Sequence, residues 1–455
     1  MNELALKRVL TLPTIVSTSA GLTFATSCFI AATQVAYHLA GNAAWLAILV
    51  AGVLCLLAAG CFSELNGMLP SAAGIRLYFA RAFSERVAIT TSLVYMGVVA
   101  SVIGAESYVL SQVLVTAFPW FPALGWIVVL QALVTGLNLR GVRLAGRFQD
   151  IVTYSLVLSL LFFGLLALGR QGFSPPHPFT TGGPDQLVQA IAVGVFLFIG
   201  FEWVTPLAEE VTEIRLISRG MFLAIGVLSV TYAIFTVAMS STADIASLAA
   251  SPVPQLLFAR KLLGPAGMAW MVGLSVAASV TTFNAGLLSL SRFVYSTARE
   301  HVLPSALARI SRRYFTPWAA ILAVFAFALP VSLAVYLTRS YLVLVNVGAA
   351  TEALVYVLAG LAVWSLRRRE PQTPRPYRLP GGGLVPWLTV AVFGILAAAV
   401  LSQDRSALVY LLLAAAGCGL YVVTVVPRLK QRAQARRRAA RARATEAPVS
   451  GRAGR

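Results

Sequence analysis

Charged residues are scarce in this chain. Of its 455 residues, 11% are charged and 58% are hydrophobic, whereas soluble domains carry about 25% charged residues. A soluble chain of this length would form about three domains, and the polar residues present are too few to cover their surfaces. The composition therefore excludes an ordinary soluble protein and predicts one that is surrounded by lipid.

Cysteine and histidine are also rare, with four and three residues respectively. The cysteines lie in apolar runs, and the sequence has neither a CxxC pair nor a Cys/His cluster with the spacing of metal ligands. It also lacks a Walker motif and the paired catalytic groups that an intramembrane enzyme needs. We therefore expect no cofactor, no metal, no enzymatic activity and no direct use of ATP.

Long apolar runs are the main feature that is present. Runs such as 43–59 and 407–426 approach the roughly 18–20 residues needed to cross about 30 Å of hydrocarbon. They predict helices, since the strands of a membrane barrel alternate over about ten residues. We predict an all-α polytopic membrane protein with about twelve spans: 13–38, 43–68, 88–117, 122–139, 150–169, 187–210, 219–240, 264–290, 317–337, 341–365, 384–402 and 407–427.

Arginine and lysine give the chain a net charge of +19 and are distributed unevenly. They concentrate before the first span and in every second loop. By the positive-inside rule, this places both termini in the cytoplasm of a protein of the plasma (inner) membrane. After a single membrane domain at 1–427, the segment 428–455 has ten basic residues and one acidic residue. We expect it to be a disordered tail that contacts anionic lipid headgroups rather than nucleic acid.

Two predicted spans contain residues that interrupt helices. The first holds a small and polar run, 19–29, and the sixth holds Gly200 between two large apolar residues. Interrupted helices at corresponding places in two inverted halves mark the binding site of many secondary transporters. The alternative is ordinary close packing of membrane helices, in which Gly, Ser and Thr are common.

Short motifs near several spans resemble those of the amino acid–polyamine–organocation superfamily of permeases, over roughly residues 8–400. The motifs occur in the order and at the spans typical of that family. They are 137–142 with Arg147 and Gln149; 200–202 with 208–210; 291–292, Tyr295, 298–300, 303–304 and 316–317; and 366–371 with 375–381. The resemblance implies a 5+5 inverted repeat, about 13–169 and 187–365, with discontinuous helices 1 and 6. Two extra helices at about 384–427 and alternating access around a midplane site are also implied.

The resemblance further implies where a substrate binds. Its carboxylate would contact N–H groups of the unwound first span, since a helix N-terminus attracts anions, and its amine would contact carbonyls of the sixth span. An aromatic gate is expected near Phe196. The implied substrate residues are Gly21, Phe24, Ala25, Thr26, Ser27, Phe196, Phe198, Ile199, Gly200 and Phe201.

Two departures from the family pattern leave the carboxylate contact and the coupling ion open. The usual Gly-Ser/Thr-Gly of the first span is Ala25-Thr26-Ser27 in this chain. A lysine that replaces sodium in some members aligns with Leu156. A sodium ion would be ligated by Thr281 and Thr282 together with the carbonyls of Gly21 and Phe24, although packing of small polar residues is the simpler explanation.

Three glutamates lie in the middle of predicted spans: Glu106, Glu202 and Glu352. A charge at the centre of a membrane helix costs about 2.5–3.5 kcal/mol on insertion scales, so each is expected to have a partner or a proton. We expect Glu202 to support the broken helix or to bind a proton. For the other two, coupling and simple solvation in a wet vestibule are equal alternatives. Four charged residues lie at the inner end of span six: Glu209, Glu210, Arg215 and Arg219. They predict either an inner gate or a solvated helix end.

These observations predict a secondary active transporter for amino acids or related small amines, coupled to protons or sodium or working by exchange. If Thr26 and Ser27 bind a carboxylate, the substrate is a zwitterionic amino acid with a compact neutral side chain. If they do not, it is an amine held by span-six carbonyls and one of the glutamates. The remaining alternative is a non-transporting sensor on the same scaffold. The oligomeric state is left open.

Overall fold

The computed structural model describes residues 6, 8–38, 44–171, 183–251, 253–339 and 341–435. Ten helical stretches among them are long and apolar enough to cross a membrane, which confirms the all-α polytopic class. The helices are α1 Leu12–Thr23, α2 Thr26–His38, α3 Ala44–Met68, α4 Ile75–Ala82, α5 Glu85–Ala117, α6 Ala123–Leu139, α7 Val142–Gln171, α8 Gly183–Phe196, α9 Arg215–Thr242, α10 Ile245–Ala250, α11 Pro254–Arg299, α12 Trp318–Thr338, α13 Tyr341–Arg369, α14 Leu384–Gln403 and α15 Arg405–Thr424.

Two helices, α7 and α11, begin about two turns or more before their predicted spans. α7 begins at Val142 rather than near 150 because its polar first turns pack against α1 instead of facing water: Gln149 is fully buried and donates to the carbonyl of Ser17 at 3.1 Å. α11 begins at Pro254 rather than 264 and is kinked at Gly264, where φ is +63° and Pro265 follows. α6 has 17 residues, slightly fewer than a full crossing requires. The count of twelve spans therefore stays a prediction.

Both predicted interruptions are present. α1 and α2 meet at Phe24 and Ala25 with a bend of 62°. After α8 the chain turns through 197–200 and continues as a 3₁₀ segment, Phe201–Glu209. Gly200 makes this turn with φ of +108°, a conformation that side chains with a Cβ disfavour. The two interrupted helices are in contact, since the hydroxyl of Ser19 in α1 donates to the carbonyl of Phe201 at 2.8 Å.

The interrupted helices lie among the other long helices. α1 packs against α7, α9 and α11, and the 3₁₀ segment packs against α1, α3, α9 and α11. α14 and α15 pack on α13, and α15 leaves large apolar side chains exposed, among them Leu412, Leu413 and Leu420. This exposure suits a peripheral helix that faces lipid.

The four cysteines are all free in this fold. Cys28, Cys55 and Cys61 are buried, whereas Cys418 on α15 is partly exposed. The Cys28 thiol donates to the carbonyl of Thr23 across the interruption between α1 and α2.

The C-terminal helix continues past the predicted boundary of the tail. A helical stretch runs through Arg405–Ala435, so residues 428–435 are helical rather than disordered. The rest of the predicted tail, 436–455, lies outside the described residues.

Candidate transport site

A cavity of about 610 Å³ lies beside the two interruptions. Its inner end contains Ser27, at the start of α2, and Phe196, at the end of α8. Most of its wall consists of Ala, Val and Ile side chains from α2, α8, α10, α13 and α14, and none of the lining residues that the structure describes is charged. The polar groups along this wall are amides and hydroxyls, chiefly those of Gln34, Tyr341, Asn346 and Gln403. Such a surface suits a small molecule with a neutral, partly apolar body.

The cavity contains two of the ten predicted substrate residues, Ser27 and Phe196. Two of the other three aromatic candidates pack inside the protein: the rings of Phe24 and Phe198 contact that of Tyr232, at centroid distances of 5.1 and 6.2 Å. In all, eight of the ten candidates are absent from the cavity wall: Gly21, Phe24, Ala25, Thr26, Phe198, Ile199, Gly200 and Phe201. In this conformation all of them are buried except Ile199, which is half-buried.

A carboxylate of the chain itself lies at the start of α2. Glu106, on α5, accepts hydrogen bonds from the backbone N–H of Thr26 and, at 3.3 Å, of Ser27. The hydroxyl of Ser279 donates to the same carboxylate at 2.7 Å. Glu106 is 2% exposed, so the wet-vestibule alternative is wrong for this residue. The N-terminus that the resemblance assigns to a substrate carboxylate thus already contacts a carboxyl group of the chain.

Part of the predicted cation site is assembled. The Thr282 hydroxyl lies 3.2 Å from the carbonyl oxygen of Gly21 and 2.7 Å from that of Phe24, as well as close to Ala278 of its own helix. Thr281 instead donates to the carbonyl of Ala278 within α11. Thr282 therefore joins α11 to the end of α1, and Thr281 takes no part in that contact.

The other two mid-span glutamates are also buried rather than solvated. Glu202 is 1% exposed and Glu352 is 2% exposed. Tyr356 donates its hydroxyl to Glu202 at 2.7 Å, and Tyr95 donates to the other oxygen of the same carboxyl. These bonds connect the 3₁₀ segment to α13 and α5, which agrees with a supporting role for Glu202.

Comparison with known proteins agrees with this architecture. A family model described as "Amino acid permease" matches residues 10–425. The chain belongs to this family.

Three relatives of this permease show the range of the similarity. The large neutral amino acids transporter small subunit 2 of Rattus norvegicus is 29% identical over 353 residues, which cover 73% of this chain and 64% of that protein. The branched-chain amino acid permease BcaP of Bacillus subtilis is 25% identical, covering 77% and 79% respectively. A methylthioribose transporter of the same species is 24% identical, covering 82% and 84%. This permease thus spans only about two thirds of the length of the mammalian relative.

Ion pairs join the elements at the other end of the permease, opposite the cavity. Glu210, after the 3₁₀ segment, accepts from Arg292 of α11 at 2.7 Å, and both side chains are fully buried. The neighbouring Glu209 pairs with Arg299 at 2.7 Å in a more exposed position. The carbonyl of Glu210 also accepts from the backbone N–H of Leu10 at 3.0 Å. These contacts hold the end of the 3₁₀ segment against α11 and against the chain before α1.

The four charges predicted at the inner end of span six therefore divide into two pairs. Glu209 and Glu210 form ion pairs with α11. Arg215 and Arg219 are exposed on the first turns of α9, as a solvated helix end requires. The arginines that pair with Glu210 and Glu209 are Arg292 and Arg299. Both belong to the span-eight motif, but their positions in the sequence do not indicate these partners.

Proposed function

We propose that this protein carries neutral amino acids across the membrane by secondary active transport with alternating access. The observation that carries the proposal is a cavity of about 610 Å³ beside two interrupted helices, with a buried ion pair, Arg292–Glu210, at the opposite side. A volume of this size lies within the range of about 300–1,000 Å³ for small-molecule sites. It admits side chains larger than the compact ones that the sequence favoured, and the names of two relatives refer to large neutral and to branched-chain amino acids.

The architecture proposed for this activity is the 5+5 inverted repeat, 13–169 and 187–365, with two extra helices and both termini in the cytoplasm. Two features support it. The interruptions occur in the first and the sixth predicted span, at corresponding places in the two halves. The cavity and the ion pairs lie at opposite ends of the same helices, as an outward-facing state of such a transporter requires.

The proposed site binds the substrate carboxylate at the start of α2. There the carboxylate competes with Glu106 for the N–H groups of Thr26 and Ser27. A proton on Glu106 removes the charge that these N–H groups attract, and so frees them for the substrate. Proton coupling follows from this competition. Sodium is the less favoured ion, because the Thr282 hydroxyl already contacts the carbonyls of Gly21 and Phe24.

Reconstitution into proteoliposomes tests this proposal. Labelled leucine is offered with an imposed proton gradient, with an imposed sodium gradient, or with neither. We expect leucine to accumulate with an inward proton gradient and to equilibrate without one. The proposal fails if leucine does not enter by any route, and its choice of ion fails if sodium alone drives accumulation.

A second candidate function is the transport of a neutral sugar or an amine that has no carboxylate. The specific observation in its favour is that Glu106 occupies the anion position at the start of α2. A similar relative is named for methylthioribose, a sugar without a carboxylate. Competition against labelled leucine distinguishes the candidates, using 3-methylbutylamine, which is leucine without its carboxylate, and methylthioribose. Inhibition by either compound as strong as that by unlabelled leucine would favour the second candidate.

A further inference from the structure

Two buried carboxyl groups face each other away from the cavity. Glu202 lies in the 3₁₀ segment just after Gly200, and Glu352 lies on α13; their carboxyl groups are in contact. Neither residue lines the cavity, and both are almost fully buried. Each of these groups would be negatively charged in water, so their contact inside the protein needs an explanation.

The hydrogen bonds around the pair are unequal. Glu202 accepts from both phenol groups, with Tyr95 on one oxygen and Tyr356 on the other. Glu352 lies beside Tyr95 and Trp203, but its Oε2 atom is buried without a hydrogen-bond partner in the part of the chain that the structure describes. Hydrogen bonds donated to a carboxylate favour its charged form. The surroundings therefore favour a charge on Glu202 and not on Glu352.

The neighbouring elements supply no compensating positive charge. α3 contributes Cys55, α5 contributes Tyr95, and α13 contributes Tyr356. Within the described residues, no ion pair joins an arginine, lysine or histidine to either carboxyl. On α11, Arg292 is held by Glu210, and α4 and α14 present Ile75 and Phe393.

We propose that Glu202 and Glu352 form a proton-binding site, in which one proton is shared and Glu352 is the acid that donates to the Glu202 carboxylate. Two charged carboxylates in contact would repel strongly in a medium of low dielectric constant, and one proton removes that repulsion. The void beside Glu202 has a volume of about 10 Å³, which holds one water molecule at most. It leaves no room for a hydrated metal cation.

The site connects two elements of the second predicted repeat, the 3₁₀ segment and α13. The 3₁₀ segment continues the interrupted helix, whereas α13 also carries Tyr341 and Asn346 of the cavity wall. The shared proton joins these two elements only while they remain in contact. Separation would remove the acceptor of the Glu352 hydrogen bond and the neighbouring negative charge that keeps Glu352 protonated, so that the proton would pass to water that reaches the separated groups.

Infrared spectroscopy of the purified full-length protein tests for the proton directly, and its result does not depend on which substrate is transported. A protonated carboxyl has a C=O stretching band distinct from that of a carboxylate. We expect this band at neutral pH in the unaltered protein and its loss in Glu352→Gln. We expect Glu202→Gln to keep the band at a shifted frequency, because the acceptor has changed.

Glu106→Gln is the matched control, since Glu106 is equally buried but accepts three hydrogen bonds. We expect this variant to keep the band unchanged. A band that survives in Glu352→Gln, or one that disappears in Glu106→Gln, would overturn the inference. Thermal unfolding of each variant establishes that it is folded. If leucine is not transported but the band behaves as described, the proposed function fails while the proton site stands.

Discussion

The carboxylate of Glu106 accepts a hydrogen bond from the backbone N–H of Thr26, a residue 80 positions away in the sequence. The contact joins the middle of α5 to the first turn of α2, where the backbone N–H groups have no partner within their own helix. The chain thus supplies its own anion at the place where a permease of this family is expected to bind a substrate carboxylate. If the substrate carboxylate and the Glu106 carboxylate exclude each other from these N–H groups, substrate binding is coupled to proton uptake by Glu106.

Replacement of Glu106 by Gln tests this coupling. Gln lacks the negative charge, so the N–H groups of Thr26 and Ser27 become available to substrate at any pH. We expect the KM for leucine to fall roughly tenfold, since a hydrogen bond to a charged group contributes about 1.5–3 kcal/mol and about 1.4 kcal/mol is a factor of ten. We also expect leucine uptake to lose its increase at acidic pH.

Glu85→Gln is the control for this substitution, because Glu85 is an exposed residue at the start of the same helix. It should leave the KM and the pH profile unchanged. An unchanged pH profile in Glu106→Gln would show that Glu106 is structural. Uptake is measured in proteoliposomes over a range of pH with equal amounts of inserted protein.

Substitution of Gly200 tests the importance of the second interruption. The φ of +108° at this position disfavours any residue with a Cβ, and a Cβ would lie 3.0 Å from the side chain of Leu22. We expect Gly200→Ala to reduce leucine uptake at least tenfold, and Gly200→Leu to abolish it, while both variants still insert into the membrane. Gly136→Ala on α6 is the control, since a Cβ there would meet no atom within 4 Å. Wild-type uptake by Gly200→Leu would contradict the proposed site.

The buried ion pair at the closed end predicts a difference in stability between two arginines. Arg292→Gln leaves the carboxylate of Glu210 buried without its partner, which typically costs about 3–5 kcal/mol. Arg299→Gln breaks the more exposed pair with Glu209, where the cost is about 0–1 kcal/mol. Thermal unfolding of the purified variants should show a clearly larger fall in Tm for Arg292→Gln. Equal falls would mean that the buried pair has no special role in the closed state.

The proposed orientation is tested by reporter fusion. The basic residues of alternate loops predict that a reporter placed after Pro427 lies in the cytoplasm. A reporter inserted into the connection at 243–253, between α9 and α11, should lie on the opposite side. Enzymatic or fluorescent reporters that work on one side only give the answer in whole cells. A reporter after Pro427 that is active outside the cytoplasm would overturn the predicted topology.

Hydropathy predicts the helices of this protein well because a lipid environment demands long apolar runs. The interruptions were also predictable, since Gly200 and the small and polar run 19–29 occur at corresponding places in the first and the sixth predicted span. The start of α7 was not predictable from the sequence. Arg147, Gln149 and Asp150 indicate a loop by composition, yet Asp150 accepts hydrogen bonds from Thr14 and Ser17 of α1, and the helix extends through this segment. Tertiary contacts of this kind override local polarity.

Contacts between distant helices carry no signal in a single sequence. Glu106, Glu202 and Glu352 were each recognised as costly, but their spacing does not indicate that the first meets Thr26 or that the other two meet each other. The same holds for Gln34 and Asn346, which line the cavity but look like isolated polar residues in apolar spans. A polar residue in such a span suggests a role, and only the packing of the helices identifies its partner.

The burial of the cysteines has a practical consequence for following the transport cycle in solution. Cys28, Cys55 and Cys61 are enclosed in the fold, and Cys418 alone is partly exposed. A Cys418→Ser variant should therefore react very little with water-soluble thiol reagents, even though the three interior cysteines are kept. Spectroscopic labels on cysteines introduced at Gln34 and Gln403, on two walls of the cavity, would then report their separation as the cavity opens and closes.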